Sequence, residues 1–157
     1  MEFTSDTEPN ANTNDFVQIT ENIDVMRTID LVKDDTAGAI STFMGTTRNN
    51  FEGKKVVSLE YEAYIEMALL ELNKLCTKIR SQWDVCKIAV VHIIGNCPIG
   101  ELSVLIAISS AHRKESLEAV DYAINELKKT VPIWKKEIYE EGEGATWKKN
   151  AEAVIRN

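Results

Sequence analysis

No apolar run in this chain reaches the roughly 18 residues that a membrane-spanning helix needs. The first 30 residues hold no apolar signal core and the first arginine is Arg27, so neither a secretory nor a mitochondrial leader is readable. The cytosol is the expected address. Cysteine is scarce: Cys76, Cys86 and Cys97 stand ten and eleven residues apart with no CxxC. The odd count argues against a secreted disulfide framework, and the spacing fits neither a zinc site nor a redox pair. These thiols are expected to be structural. Histidine is scarcer still, with only His92 and His112. With no carboxylate cluster beside them, no protein-held metal is expected, and no cofactor. Seven Gly and three Pro exclude a collagen or a low-complexity chain. The GxSxG elbow, the P-loop, GxGxxG after a strand, HExxH and the EF-hand loop are all absent.

What is present is a globular composition. The 157 residues, 44% apolar and 27% charged, suffice for one domain with a core that needs no staple. The net charge of −7 is unevenly spread, since residues 1–35 hold nine acids and two bases and the remainder is balanced. Residues 1–15 read as a disordered acidic leader, and 16–157 as a single domain. A balanced body gives no support to nucleic-acid binding. Lys128, Lys129, Lys135 and Lys136 nevertheless fall within nine residues free of acids, and His112, Arg113 and Lys114 form a second basic group. A basic pocket on a neutral body suits a small anion better than a polymer.

Periodicity orders the elements. Phe16 to Ile19 opens a strand and 23–32 is a short helix. Residues 38–45 and 56–64 read as strands flanking a loop around Phe51, and 65–83 as an amphipathic helix with Cys76 on its apolar face. Residues 87–94 and 102–109 are strands, apolar on both faces and therefore covered, joined by 95–100. A last helix over 113–130 turns Leu117, Val120, Ile124, Leu127 and Val131 inward until Pro132 stops it. The order β-α-β-β-α-β-β-α predicts a two-layer α/β sandwich, sheet on helices.

Helical geometry separates neighbouring lysines. Lys128 lies on the shoulder of the inward stripe, whereas Lys129 points away from it. Lys128 is thus either a snorkelling surface lysine or a group reaching into a cleft. After Pro132 the chain can bring Lys135 back toward Lys128, unless 131–137 is a plain basic surface loop. Two ammonium groups held close depress one another's pKa, so one can exchange protons while the other holds an anion. Ser110-Ala111-His112-Arg113 hands a strand over to a helix, which is either a natural anion site or ordinary capping with a surface arginine. Arg48, just past a strand end, is an anion ligand by position, and His92, mid-strand, reads as a hydrogen-bonded core histidine.

GAISTFMGTTRN (38–49), LEYEAY (59–64), VVHIIGNCPIGE (90–101), SSAHR (109–113) and LKKTVPIWKKE (127–137) together resemble the large, catalytic subunits of molybdopterin synthase. The resemblance spans about residues 16–150. It implies an α/β hammerhead fold with an additional antiparallel β-subdomain. It also implies a sulfurtransferase that makes molybdopterin from cyclic pyranopterin monophosphate. The two sulfurs would come from the C-terminal Gly-Gly thiocarboxylate of a small ubiquitin-like subunit, within a heterotetramer built on a central homodimer. Carried over by position, Lys128 and Lys135 become the catalytic lysines. Arg48, His112 and Arg113 become ligands of the pterin and its phosphate, with His112 and Arg113 offered across the dimer interface. Lys136 and Glu137 complete the pocket wall. The competing expectation is a non-catalytic scaffold or anion-binding subunit that keeps the fold.

Overall fold

Strand alternation and helical periodicity sort residues 5–6, 15–140 and 145–149, which the computed structural model describes, into one order of elements. The chain runs β1 (Ser5–Asp6), β2 (Asp15–Thr20), α1 (Val25–Val32), β3 (Ala39–Thr46), β4 (Asn50–Phe51), β5 (Lys54–Ala63) and α2 (Ile65–Gln82). It continues through β6 (Lys87–Ile93), β7 (Gly95–Pro98), β8 (Leu102–Ser110), α3 (Arg113–Thr130), β9 (Ile133–Tyr139) and β10 (Ala145–Lys149).

Five strands form the first sheet in the order β1-β2-β6-β8-β3, with β2 and β6 parallel and every other pair antiparallel. Its central strands β6 and β8 are buried from Ile88 to Ile93 and from Ser103 to Ser110. That is the physical origin of their unbroken apolar runs, because both faces are covered. Val17, Ile88, Val90, Ile106 and Ile108 meet Leu72, Leu75 and Ile79 of α2 and Val120, Ala123 and Leu127 of α3. On the opposite face Phe16, Ala89, Val91 and Ala107 meet Val32 of α1. At the start of β3 the backbone runs so close to the β8–α3 turn that a Cβ on Gly38 would lie 2.5 Å from the Ala111 carbonyl oxygen. Only glycine fits there.

The second sheet is antiparallel throughout, in the order β10-β9-β5-β4 with β7 also on β5. It is the additional β-subdomain, beside an α/β body. Four of its five strands, β4, β7, β9 and β10, were not expected from the sequence. Residues 95–98, read as part of a connection, form β7 against β5, and the stretch after Pro132, read as a turn and loop, forms β9. Neither carries an apolar alternation of its own; pairing with β5 defines both. Leu117, expected inward, is 58% exposed. The buried stripe of α3 runs through Ser116, Val120, Ala123 and Leu127, and Leu117 lies about 90° to its side.

The leader reading also changes at its end. Asp15 is the first residue of β2 and is buried, with both carboxylate oxygens gripped by Arg80 of α2 at 2.6–3.1 Å. Ser5 and Asp6 pair with Ile19 and Gln18 on the sheet edge. Residues 1–4 and 7–14 lie outside the described residues, as do 141–144 and 150–157.

Candidate functional site

A cavity of about 420 Å³ is lined from both sheets and from α3. Alternation decides which side chains enter it. Leu59 and Tyr61 of β5 stand opposite Glu137 and Lys135 of β9, and residues opposite one another share a sheet face. All four line the cavity. Lys136 pairs with Glu60 in the intervening register position, and neither lines the cavity. The expectation that Lys136 completes the pocket wall is therefore corrected, since the period of two turns it to the other face. From α3 come Ile124, Leu127 and Lys128, spaced three and four apart on one helical face. Lys129 lines a separate groove with Trp83 and Tyr122 instead. Arg48, Asn50 and Phe51 come from the segment after β3 and from β4.

Gly45, on the wall, cannot carry a side chain without displacement, because its Cβ would lie 2.7 Å from Cγ1 of Val104. The β3–β8 register slips between Gly45 and Thr46, and both residues reach the cavity beside Phe43 and Met44. Phe51 is held by a tight hairpin whose two loop residues, Glu52 and Gly53, both have positive φ (49° and 79°), as the favoured two-residue turn requires.

The charges are graded with depth. Arg48 and Lys128 are exposed and Lys135 is half-buried, while Glu137 is only 1% exposed and accepts a hydrogen bond from the Tyr139 hydroxyl. Three cations against one carboxylate leave the mouth positive. Two further cavity residues, Tyr61 and His92, were not singled out as functional from the sequence. His92, as expected, is a buried, hydrogen-bonded histidine, with Nδ1 2.7 Å from the Ile93 carbonyl oxygen. Burial lowers its pKa to about 4, so the ring is neutral. Tyr61 meets it edge-to-face at 5.1 Å between ring centroids, and burial pushes the Tyr61 phenol up, opposed by the Ser103 hydroxyl. The only sequence signal for this pair was that each sits on a strand facing the core.

His112 and Arg113 stand apart from this cavity. They are exposed at the start of α3, and from Arg113 to Lys128 the helix advances about 22 Å. The turn is held from below: Ser110 Oγ donates to the His112 carbonyl oxygen at 2.6 Å and accepts from the Ser116 N–H at 3.1 Å. His112 makes no side-chain cap bond, and the Ser110 hydroxyl takes the Ser116 N–H in its place.

Two of the three thiols are sealed, and Cys86 is half-buried. Cys76 and Cys97 are buried, and burial raises the pKa of both, most strongly that of Cys76, which disfavours thiolate chemistry. Among the described residues no group of three or more histidines, cysteines or carboxylates is gathered to hold a metal ion. Among them, too, no helix is long and apolar enough to cross a membrane.

Comparison with known proteins fits this geometry. The family model described as "MoaE protein" matches residues 18–130. The human molybdopterin synthase catalytic subunit is 59% identical over 132 residues, which cover 84% of this chain and 69% of that protein. The crystal structure of molybdopterin synthase from Staphylococcus aureus superposes with a TM-score of 0.78 at 39% identity, covering 83% of this chain and 94% of that one. A complex of subunits 1 and 2 of molybdopterin-converting factor from Helicobacter pylori shares the fold, with a TM-score of 0.64 at 22% identity. With its family match reaching from β2 to the last turn of α3, and Lys128 and the cavity within the same fold, the chain belongs to the MoaE protein family, that of the molybdopterin synthase catalytic subunits.

Proposed function

We propose that this chain is the sulfur-inserting subunit of a molybdopterin synthase, acting on cyclic pyranopterin monophosphate in molybdenum cofactor biosynthesis. The observation that carries the reading is the convergence of Arg48, Lys128 and Lys135 on one cavity. A phosphate and a thiocarboxylate are both anions, and preorganised cations lower the cost of bringing them together. Lys135, half-buried, is the group to handle the proton as sulfur attacks; Lys128 and Arg48, at the open mouth, hold the phosphate. The buried thiols of Cys76 and Cys97 have no place in sulfur relay. Cys86, half-buried, does not line the cavity either, and on this reading the sulfur arrives from outside, on the C-terminal glycine of a small ubiquitin-like partner. The two-subunit complex from Helicobacter pylori supports such a partner. His112 and Arg113 serve the same reaction from the second copy of a homodimer, since one α3 cannot bring both of its ends to one cavity. The cytosol is the address this reading implies.

Reconstitution with thiocarboxylated partner and pterin precursor tests it. Lys128→Ala and Lys135→Ala should fold and lose about a hundredfold or more in molybdopterin formation. Lys129→Ala, in the outer groove, should remain near wild type. Equal damage at 128 and 129 would overturn the geometric assignment, and full product from both cavity variants would leave a scaffold.

A further inference from the structure

His92 has two ring nitrogens and one visible obligation. Nδ1 faces the Ile93 carbonyl oxygen, which can only accept, so Nδ1 carries the proton and Nε2 is a bare acceptor. Among the described residues no donor reaches Nε2. Nor is it sealed: among them, the one unpartnered side-chain atom cut off from solvent is Oε2 of Glu115, on α3. An unpartnered atom on a ring only 4% exposed must therefore open onto the space that the ring lines, and that space is the cavity. The ring cannot turn away without giving up the Ile93 bond and its edge-to-face contact with Tyr61. Burial keeps it neutral at physiological pH, so it accepts rather than donates.

We propose that His92 is a specificity-determining residue that accepts a hydrogen bond through Nε2 from an N–H of the substrate's heterocycle, at the opposite pole of the ligand from its phosphate. This rests on the reading of the cavity as a pterin-phosphate site and deepens it. The positive mouth of Arg48 and Lys128 recognises the anion but cannot tell one phosphate from another. A buried acceptor can, because a ligand without a matching donor leaves Nε2 desolvated and unpaired. The ligand class that fits is an amino-substituted nitrogen heterocycle carrying an anionic group.

The two poles can be probed separately in the full-length protein, with phosphate-free pterin for the ring and inorganic phosphate for the mouth. His92→Phe keeps the ring shape and loses the acceptor; it should weaken pterin binding about tenfold and leave phosphate binding within twofold. His92→Gln, whose amide oxygen can reach the Nε2 position, should restore pterin binding to within about threefold of wild type. In the unmutated protein labelled with 15N-histidine, the unprotonated Nε2 signal of His92 should shift as pterin saturates, so the answer does not hang on how a variant folds. Unchanged pterin affinity in His92→Phe, equal loss of both probes, no rescue by Gln, or a stationary Nε2 signal would each overturn the proposal. Molybdopterin formation with pterin binding indifferent to His92 would sink this inference alone. His92-dependent pterin binding without sulfur transfer would sink the proposed reaction and leave this inference standing.

Discussion

Burial of His92 makes a single imidazole a pH-dependent contributor to stability. Its pKa is about 4 in the folded chain against 6.5 in an exposed histidine. Between those values the unfolded chain binds a proton that the folded one refuses, so stability rises with pH across this window and is lost as pH falls from about 6.5 to 4. The loss should be on the order of 3 kcal/mol. Thermal unfolding at pH 7 and pH 4.5 checks it: the drop should be smaller in His92→Gln, and equal drops would show that His92 does not titrate in this way. A second residue carries load of another kind. Arg80 holds Asp15 with both forks and also donates to the Val85 and Cys86 carbonyl oxygens at 3.2 and 3.0 Å, tying β2 to the exit of α2. Arg80→Ala strands a nearly buried carboxylate and should cost about 2–3 kcal/mol in urea unfolding, with activity per folded molecule unchanged. A cost under about 0.5 kcal/mol would mean that the pair is solvated like a surface bridge.

Among the elements, β9 brings the half-buried lysine and the buried carboxylate to the site. It lies between β5 and β10, and its period of two sends Lys135 and Glu137 into the cavity while Lys136 goes the other way. Lys135→Ala and Lys136→Ala should accordingly differ sharply in sulfur transfer, with Lys136→Ala keeping at least about half of wild-type activity. Comparable losses at both positions would mean that the strand reaches the substrate with both faces. Helix α3 works differently: its three-and-four spacing puts Lys128 beside Leu127 and Ile124, so the lysine is anchored by the same stripe that holds the helix on the sheet. Its other end is fixed by Ser110 and by Ser116, whose hydroxyl lies 2.7 Å from that of Ser41. The rigid body between those ends keeps Arg113 and Lys128 apart.

For the whole molecule, that separation gives the proposed homodimer a direct test. If each site draws Lys128 from one copy and Arg113 from the other, Arg113→Ala and Lys128→Ala proteins are each inactive alone. Mixed and allowed to exchange subunits, they should recover about a quarter of wild-type activity, because half of the dimers are mixed and each has one intact site. No recovery despite proven exchange would confine every functional residue to one copy.

Much of this was legible in one dimension. The covered strands β6 and β8, the helices α2 and α3 and the turn at 110–113 announce themselves through local periodicity, which burial on one or both faces imposes residue by residue. The separation of Lys128 from Lys129 follows from the 100° step of a helix, and the buried state of His92 from its place in an apolar strand. The strands β7 and β9 were hidden because their stability comes from partners distant in sequence, with Tyr61 set against Gly95 on one side and Lys135 on the other. The β5–β9 register alone decided that Lys136 faces away, as the β2–β6 register decided that Asp15, opposite Ile88, belongs to the first sheet, and only the two sheets together bring Tyr61 and His92 to one cavity. A sequence specifies its local periods directly; which face looks onto shared space is settled by non-local pairing and register, and so only by the tertiary structure.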